Sequence, residues 1–356
     1  MSPLSWTRRK SVSKGVDSTH EEALAIGDTL GVRDYVIPRA AVTLGEKLGS
    51  GGFGTVFACT ISKEVHGEEV EAVAKRIYPK RLSASDVPLL KSEAHNWSSI
   101  SHPNCVSFMG CCLHESEYLL LCEYMPGGTL ETRLAQYLQD GRPPPTQDEL
   151  VAWMAPLADG MKYLHSKGII HRDLKSANVL IDNEGRLALS DFGLSRKFDL
   201  GKSEFTAETG SYRWMAPEVT RHEPYDEKCD VYSYGCLCYE MTTYRIPLHE
   251  MTTLEAAFAV ARDAMRSKIP ASCPPVIAKL ISDCWQQESE RRPSFELICQ
   301  RLEQLKMRAS TEEPSIQRTD SKRRLAEEED QAASSSTASL KRPKSISSAL
   351  VDMTVH

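Results

Sequence analysis

The chain has 356 residues and a formal net charge of -6 at pH 7, with 41% hydrophobic and 26% charged residues. A chain of this length can bury a core in two domains or lobes. Its mild net charge does not favour nucleic-acid binding, and no run approaches the roughly 20 apolar residues of a membrane span. Because the 11 cysteines form no paired Cys-x-x-Cys units, neither a zinc site nor a disulfide framework is indicated, and buried reduced thiols are expected.

The chain begins with a segment that shows no strand pattern before residue 42. Residues 1–15 are basic, rich in Ser and free of acidic residues, and a mitochondrial presequence is the alternative interpretation. We predict that residues 1–41 form an N-terminal extension that is largely flexible.

A glycine-rich segment, Gly49-Ser50-Gly51-Gly52-Phe53-Gly54-Thr55-Val56, lies between two apolar runs. A G-x-G-x-x-G pattern alone is a weak signal, because a dinucleotide fingerprint and an ordinary glycine turn share it. A dinucleotide fingerprint opens a helix, whereas here a β-branched residue and a second strand-like run follow. The context therefore predicts two strands joined by a glycine-rich loop.

Lys75 follows Ala72-Val73-Ala74 in a third apolar run. An ammonium group within such a strand is costly unless phosphate or carboxylate partners surround it. Glu93, in a helical stretch over residues 89–97, is the natural partner. A lysine extended along the surface and a solvated helix face are the alternatives.

Residues 171–178, His-Arg-Asp-Leu-Lys-Ser-Ala-Asn, precede Asp191-Phe192-Gly193. An Asp near an attacking hydroxyl can accept its proton, and an Asn and a second Asp supply the oxygen ligands that Mg²⁺ prefers. The apolar runs 179–181 and 187–189 flank a turn, so a hairpin would bring Asn178 and Asp191 near one ion. A charged loop beside a hairpin is the alternative.

The composition changes after about residue 308 to Ser, Glu, Lys and Arg. Such a segment cannot bury enough apolar surface to fold, and we predict that residues 308–356 are disordered. Two basic clusters, Lys322-Arg323-Arg324 and Lys341-Arg342-Pro343-Lys344, are read either as a nuclear import signal or as solvated charge. The expected reduced thiols favour a cytoplasmic protein, and the basic clusters make a nuclear location the alternative.

These motifs together resemble, in content and order, the signature of eukaryotic protein kinases. Lys175 is typical of Ser/Thr kinases, whereas residues 210–218 and Cys284-Trp285 have tyrosine-kinase character. This mixture resembles the tyrosine-kinase-like group of Ser/Thr kinases. The resemblance implies an α+β, two-lobed fold over residues 42–307, with a mainly β N-lobe containing one key helix to about residue 125 and a mainly α C-lobe after it.

The resemblance also implies an ATP site between the lobes. Glycines without Cβ atoms let backbone N–H groups approach phosphates closely. Cys122 corresponds to the gatekeeper, and the backbone of Glu123 and Met125 to the adenine-binding hinge. Val73 departs from the Ala that the family usually has there. The implied ATP-binding residues are Leu48, Gly49, Ser50, Gly51, Gly52, Phe53, Gly54, Val56, Val73, Lys75, Glu93, Cys122, Glu123, Met125 and Leu180.

By the same resemblance Asp173 is the catalytic base, Lys175 contacts the γ-phosphate, and Asn178 and Asp191 hold Mg²⁺. His171 and Phe192 are expected to be structural, joining Trp97 and Phe108 in a hydrophobic column. Three further residues are expected to be structural. Glu218 and Arg292 are expected to form a buried ion pair, and Asp230 is expected to accept hydrogen bonds from backbone N–H groups of the catalytic loop.

Residues 194–215 correspond to the activation segment, and Arg172 can pair with a phosphate placed on it. The candidate phosphorylation sites are Ser203, Thr206 and Thr209. The expected activity is Mg-ATP-dependent phosphorylation of Ser/Thr hydroxyls in protein substrates. Phosphorylation of this loop is expected to regulate the activity, and an upstream kinase is the candidate partner for that step. A dual-specificity kinase and a pseudokinase scaffold are the alternatives.

Overall fold

The computed structural model describes residues 18–51, 54–78, 94–191 and 210–308. Several residues with predicted roles lie outside these ranges. These residues are Gly52, Phe53, Glu93, Phe192, Ser203, Thr206 and Thr209, together with residues 1–17 and 309–356.

The N-terminal half is built on a five-stranded antiparallel sheet with the order β1-β2-β3-β5-β4. Its strands are β1 (Val42–Gly51), β2 (Gly54–Ile61), β3 (Val70–Ile77), β4 (Phe108–His114) and β5 (Glu117–Glu123). A short helix α2 (Lys63–His66) joins β2 to β3, and a helix α3 is described over residues 94–98. The strands predicted around the glycine-rich segment and Lys75 are confirmed.

The two faces of this sheet bury different sets of residues, because side chains alternate along each strand. Leu119 and Leu121 of β5 are fully buried in the core on one face, with Cys59 and Ala72 from neighbouring strands. Cys122 is only partly buried and faces the other way, in register with Val73. The second face is therefore the wall of a cleft.

Residues 18–41 are folded, so the prediction of a largely flexible extension is wrong for this part of residues 1–41. They form helix α1 (Ser18–Leu30) and two short 3₁₀ helices, Arg33–Tyr35 and Arg39–Ala41. The physical reason is apolar burial: Leu30, Val32 and Ile37 have almost no exposed surface. The Tyr35 hydroxyl also donates to the carbonyl of Ser98, 2.7 Å away at the end of α3.

The C-terminal half is mainly helical. Its elements are α4 (Leu130–Gln139), α5 (Gln147–Ser166), the hairpin β6 (Val179–Ile181) and β7 (Leu187–Leu189), α6 (Pro217–Thr220), α7 (Lys228–Thr243), α8 (Thr253–Asp263), α9 (Pro275–Cys284) and α10 over residues 295–308. The two-lobed α+β architecture is thus confirmed.

Local sequence explains where two of these helices begin. Thr146 and Glu149 form a reciprocal capping box at the start of α5, and Thr252 and Glu255 form another at the start of α8. Each box satisfies backbone N–H groups that have no partner within the first turn.

Helix α7 occupies the centre of the C-terminal lobe, and residues 229–242 are all buried. A helix that is covered on every side belongs to a domain core. Gly235 permits close contact with α9, since a Cβ atom there would lie 2.9 Å from the Cβ of Cys284. Helix α7 is consequently the scaffold against which the neighbouring loops are placed. Within the described ranges, no helix has the length and apolar character needed to cross a membrane.

The first testable prediction concerns two glycines of the same loop. A Cβ atom at Gly54 would overlap the carbonyl oxygen of Arg76 on β3, whereas one at Gly49 would meet no atom within 4 Å. Because overpacking against backbone cannot relax easily, Gly54→Ala is expected to lower the free energy of unfolding by about 1–3 kcal/mol. Urea denaturation measures it.

Gly49→Ala is the matched control, and we expect a change within about 0.5 kcal/mol. Equal stabilities of the two variants would contradict the assigned role of Gly54 in pairing β2 with β3.

Candidate active site

Asp173 lies at the centre of a compact polar cluster. Its carboxylate accepts hydrogen bonds from Lys175 Nζ at 3.1 and 2.9 Å, and Asn178 Nδ2 donates to its Oδ2 at 2.8 Å and to its backbone oxygen at 2.7 Å. Asp173 keeps 28% of its side-chain surface exposed, and Lys175 keeps 18%. A carboxylate fixed by two donors and still accessible can accept a proton from a bound hydroxyl.

The loop that carries Asp173 is held by Asp230 of α7. The Asp230 carboxylate is fully buried and accepts the backbone N–H groups of His171 and Arg172, both at 2.8 Å. His165 Nε2, near the end of α5, lies 2.9 Å from the same carboxylate. The contact expected from the sequence is therefore present, and it fixes the residue before Asp173 in a left-handed conformation with φ 68°.

The hairpin of β6 and β7 brings Asn178 and Asp191 together, as predicted. Val179 pairs with Leu189 in the antiparallel ladder. The backbone oxygen of Asn178 then accepts hydrogen bonds from Ser190 N at 2.9 Å and Ser190 Oγ at 3.0 Å. Asp191, the next residue, is exposed and has φ 56°. The start of β6 lies beside the end of β7, so the backbone of Asn178 lies close to that of Asp191.

The opposite wall of the cleft comes from the sheet. Lys75 on β3 lies in register between Val56 of β2 and Leu120 of β5. Burial raises the pKa of the Cys122 thiol, the negative charge of Asp191 raises it further, and Lys75 opposes the shift. Lys75 and Asp191 are therefore both close enough to Cys122 to act on its thiol.

Apolar side chains with partial exposure line this cleft. Val73 is partly exposed although its neighbours Ala72 and Ala74 are buried, and Leu48 is 44% exposed. Ligand pockets typically expose apolar surface in this way. Five of the apolar residues expected to contact the nucleotide are at least partly exposed, namely Leu48, Val56, Val73, Cys122 and Leu180. The described part of the glycine-rich loop, Gly49, Ser50, Gly51 and Gly54, extends the β1–β2 ladder beside them.

The segment between the lobes is braced by Arg186, which sequence reasoning missed. Its guanidinium donates to Glu123 Oε2 at 3.0 Å, to Met125 Sδ at 3.4 Å and to the carbonyl of Pro103 at 2.6 Å. Glu123 and Met125 are the expected hinge residues, and Met125 is buried. No local pattern signals this role, because Glu123 is 63 residues away in sequence.

A divalent cation would find hard oxygen donors at the end of the hairpin. Because Asn178 Nδ2 points at Asp173, the amide oxygen of Asn178 is the atom directed away from it and is the one suited to a cation. Among the described residues no group of three or more His, Cys, Asp or Glu side chains could hold a metal. The donor set thus fits an ion that also binds ligand oxygens.

Glu218 and Arg292 form the ion pair expected from the sequence. Arg292 donates from both terminal nitrogens to the two oxygens of Glu218, at 2.6 and 2.8 Å, and its side chain is completely buried. It also donates to the carbonyl groups of Gln286, Gln287 and Lys228. The pair links the start of α6 to the segment before α10.

Parts of the predicted hydrophobic column are visible. His171 is fully buried, and the rings of Trp97 and Phe108 are 5.5 Å apart. Trp97 is fixed by a hydrogen bond from Nε1 to the carbonyl of Val106 at 2.9 Å. Since Phe192 lies outside the described residues, the column as a whole stays a prediction.

Comparison with known proteins gives a consistent result. The family model described as protein tyrosine and serine/threonine kinase matches residues 42–302. Serine/threonine-protein kinase STY46 of Arabidopsis thaliana is 36% identical over 262 residues, which are 73% of this chain and 44% of that protein. Serine/threonine/tyrosine-protein kinase HT1 of the same plant is 37% identical over 264 residues, 73% of this chain and 65% of that protein.

An animal protein is similarly related. Mitogen-activated protein kinase kinase kinase 10 of Homo sapiens is 36% identical over 289 residues, 78% of this chain and 29% of that protein. The chain spans about half the length of the first plant relative and less than two thirds of the second. The similarity therefore covers the two-lobed unit and leaves large parts of the relatives unmatched.

The second prediction tests the buried ion pair. Arg292→Met leaves the Glu218 carboxylate buried without its partner, so we expect the free energy of unfolding to fall by about 3–5 kcal/mol. Chemical denaturation of the variant against the natural chain measures this loss.

The neighbouring Arg291 provides a matched control, since its side chain is 71% exposed and its ion pair with Glu288 spans 3.8 Å. Arg291→Met is expected to cost less than about 1 kcal/mol. Similar losses in both variants would contradict the special role of the buried pair.

Proposed function

Because the chain belongs to the protein tyrosine and serine/threonine kinase family, we propose that it transfers the γ-phosphate of ATP to Ser and Thr hydroxyls of protein substrates. The observation that carries the proposal is the cluster at Asp173. Lys175 and Asn178 both hydrogen-bond its carboxylate, and the hairpin sets Asp191 beside them.

In the proposed reaction the hydroxyl oxygen of the substrate attacks the γ-phosphorus. The bond from that phosphorus to the β–γ bridging oxygen breaks, and the hydroxyl proton passes to Asp173. Lys175, 2.9 Å from Asp173, places a positive charge where negative charge gathers on the phosphoryl oxygens. Asn178 keeps the Asp173 carboxylate oriented.

The resident metal is proposed to be Mg²⁺, held by Asn178 and Asp191. When bound it neutralises charge on the nucleotide phosphates. An amide oxygen and a carboxylate are the hard donors that this ion prefers, with phosphate oxygens and water as its remaining ligands.

The nucleotide is proposed to occupy the cleft between the sheet and the hairpin. The partly exposed apolar residues Val73, Cys122 and Leu180 suit a flat adenine ring. Adenine then meets the hinge backbone at Glu123 and Met125, and the phosphates extend toward Lys75 and the glycine-rich loop. This orientation places the γ-phosphate near Asp173.

Ser/Thr specificity is favoured by Lys175, two residues after the base. A dual-specificity kinase is the second candidate, because HT1 carries the name serine/threonine/tyrosine-protein kinase. Phosphoamino-acid analysis of the autophosphorylated chain separates the two. A pseudokinase scaffold has less support, since Lys75, Asp173, Asn178 and Asp191 are all present, and a scaffold has no chemical need for the full set.

Regulation by phosphorylation of the activation segment forms part of the proposal. Arg172 is exposed beside Asp173, and its guanidinium lies 6.0 Å from the ring of Tyr225. An exposed arginine at this place can pair with a loop phosphate. An upstream protein kinase, or a second copy of this chain, would supply that phosphate, and the proposed setting is intracellular signalling.

The third prediction tests the catalytic base. Asp173→Asn keeps the size of the side chain and removes its capacity to accept a proton, so kcat should fall by about 10²–10⁴-fold. Phosphate transfer to a Ser peptide measures kcat, and the dissociation constant of ATP should change by less than about threefold since Asp173 does not hold the nucleotide.

Glu184→Gln is the control, because Glu184 is exposed in the turn of the same hairpin. It should retain full activity. Phosphotransfer by Asp173→Asn at the natural rate would contradict the assigned chemistry.

The fourth prediction concerns the activation segment. Thr206→Ala combined with Thr209→Ala should lower kcat toward protein substrates by about tenfold or more, since one lost charge-assisted hydrogen bond corresponds to about 1.5–3 kcal/mol. Phosphatase treatment of the natural chain should produce the same loss.

Ser203→Ala alone should have a smaller effect if the threonines carry the phosphate. Full activity in the double variant would contradict the assignment of Thr206 and Thr209.

A further inference from the structure

Helix α7 carries a buried row of polar side chains. Asp230, Ser233 and Glu240 follow one another at i, i+3 and i+10, which places them on the same face of a helix. All three are almost completely buried. Buried polar groups require partners, so each of these residues constrains what packs against it.

Glu240, which is 2% exposed, binds two different segments. One carboxylate oxygen accepts a hydrogen bond from the hydroxyl of Ser176, and the other accepts one from Nε1 of Trp214. Ser176 and Trp214 are themselves buried. The carboxylate is thus the shared partner of two donors that lie 38 positions apart in the chain.

The two segments have separate places in the proposed reaction. Ser176 directly follows Lys175 and begins the 3₁₀ turn Ser176–Asn178, so it sits between the partner of the base and a metal ligand. Trp214 ends the 3₁₀ segment Gly210–Trp214 and leads into Ala216-Pro217-Glu218. Its carbonyl also accepts a hydrogen bond from Ser233 Oγ at 2.7 Å.

We propose that Glu240 is a positioning residue that couples the 210–214 segment to the catalytic loop, so that the placement of Lys175 and Asn178 depends on the placement of Trp214. The inference rests on the proposed phosphotransfer. A shift of Trp214 would break the hydrogen bond to Glu240 or move its carboxylate, and Ser176 would lose the partner that fixes the turn. Glu240 acts through these neighbours and does not touch substrate.

The electrostatic setting of Glu240 favours its protonated form. Burial raises its pKa to about 7, hydrogen bonds from Ser176 and Trp214 act to lower it, and the negative charge of Glu131 on α4 acts to raise it. A raised pKa means that the folded state binds the proton more tightly than the unfolded chain. The corresponding stability is present below pH 4.5 and is lost as pH rises to about 7.

Both forms of Glu240 can hold the two segments. The indole N–H of Trp214 can only donate, whereas the Ser176 hydroxyl can donate or accept. A protonated Glu240 would accept from Trp214 with its carbonyl oxygen and donate to Ser176 with its hydroxyl. A glutamine can reproduce that arrangement with its amide oxygen and amide nitrogen, but a leucine leaves both partners buried and unsatisfied.

The first experiment compares Glu240→Gln with Glu240→Leu in phosphotransfer to a Ser peptide. We expect Glu240→Gln to retain kcat within about threefold, since its amide replaces both hydrogen bonds, and Glu240→Leu to lose about tenfold or more. The KM of ATP should stay within about twofold in each, because the nucleotide site does not contain Glu240. Equal kcat in the two variants would overturn the proposal.

A second experiment avoids a variant that fails to fold. Ser176→Ala and Trp214→Phe each remove one donor, and each should lower kcat by about 3–10-fold, for a lost hydrogen bond of about 1 kcal/mol. If Glu240 couples the segments, the double variant should lose less than the product of the two single losses. A loss equal to that product, or no loss in either single variant, would overturn the coupling.

A third readout does not depend on activity. In a ¹⁵N spectrum the indole resonance of Trp214, assigned by its absence in Trp214→Phe, should shift with pH near 7 in the natural chain and stay fixed in Glu240→Gln. An identical resonance in the natural chain, Glu240→Gln and Glu240→Leu would overturn the contact. If this contact is observed but the natural chain transfers no phosphate, the proposed function fails instead, and with it the positioning role.

Discussion

The buried carboxylate of Asp230 is the interaction on which the catalytic loop depends. It accepts the backbone N–H groups of His171 and Arg172, and Arg172 has φ 68°. A left-handed conformation costs a residue other than glycine roughly 1–2 kcal/mol, so a loop without this anchor would relax. Because Asp173 is the next residue, the direction of its carboxylate follows from a hydrogen bond made by helix α7.

Helix α7 therefore fixes the orientation of the loop through hydrogen bonds, in addition to packing against it. Apolar contact is non-directional, and an entirely apolar α7 would fill the core without fixing the rotation of the segments around it. Asp230, Ser233 and Glu240 add hydrogen bonds whose geometry is restricted. They join the core to the catalytic loop at His171 and Ser176, so a helix that is buried along residues 229–242 positions this loop.

Local pattern predicted the elements of the site, and the family resemblance predicted two long-range contacts, Glu218 with Arg292 and Asp230 with the loop at His171 and Arg172. Other long-range partners were not predicted. The strands 179–181 and 187–189 have the bounds expected from the sequence, because short apolar runs flank a turn of Asp, Asn, Glu and Gly. Arg186 and Glu240 were missed because their partners are 63 and 64 residues away and neither residue belongs to a motif that carries the resemblance. The only local signal for Glu240 was an acidic residue within an apolar helix. The prediction that residues 18–41 are flexible was wrong because apolar residues without a regular spacing can still be buried against a sheet.

The short hairpin of β6 and β7 connects both ends of the cleft. At one end Ser190 donates to the backbone oxygen of Asn178, beside Asp173, and at the other Arg186 binds Glu123 in the segment between the lobes. At about 3.3 Å per residue, three paired residues span about 10 Å. A shift of one residue in this register would turn Leu180 to the opposite face and would move the hinge contact together with Asn178. The separation between the apolar pocket and Asp173 is thus determined by backbone pairing. Backbone pairing depends less on side-chain identity than a single side-chain contact in the cleft does.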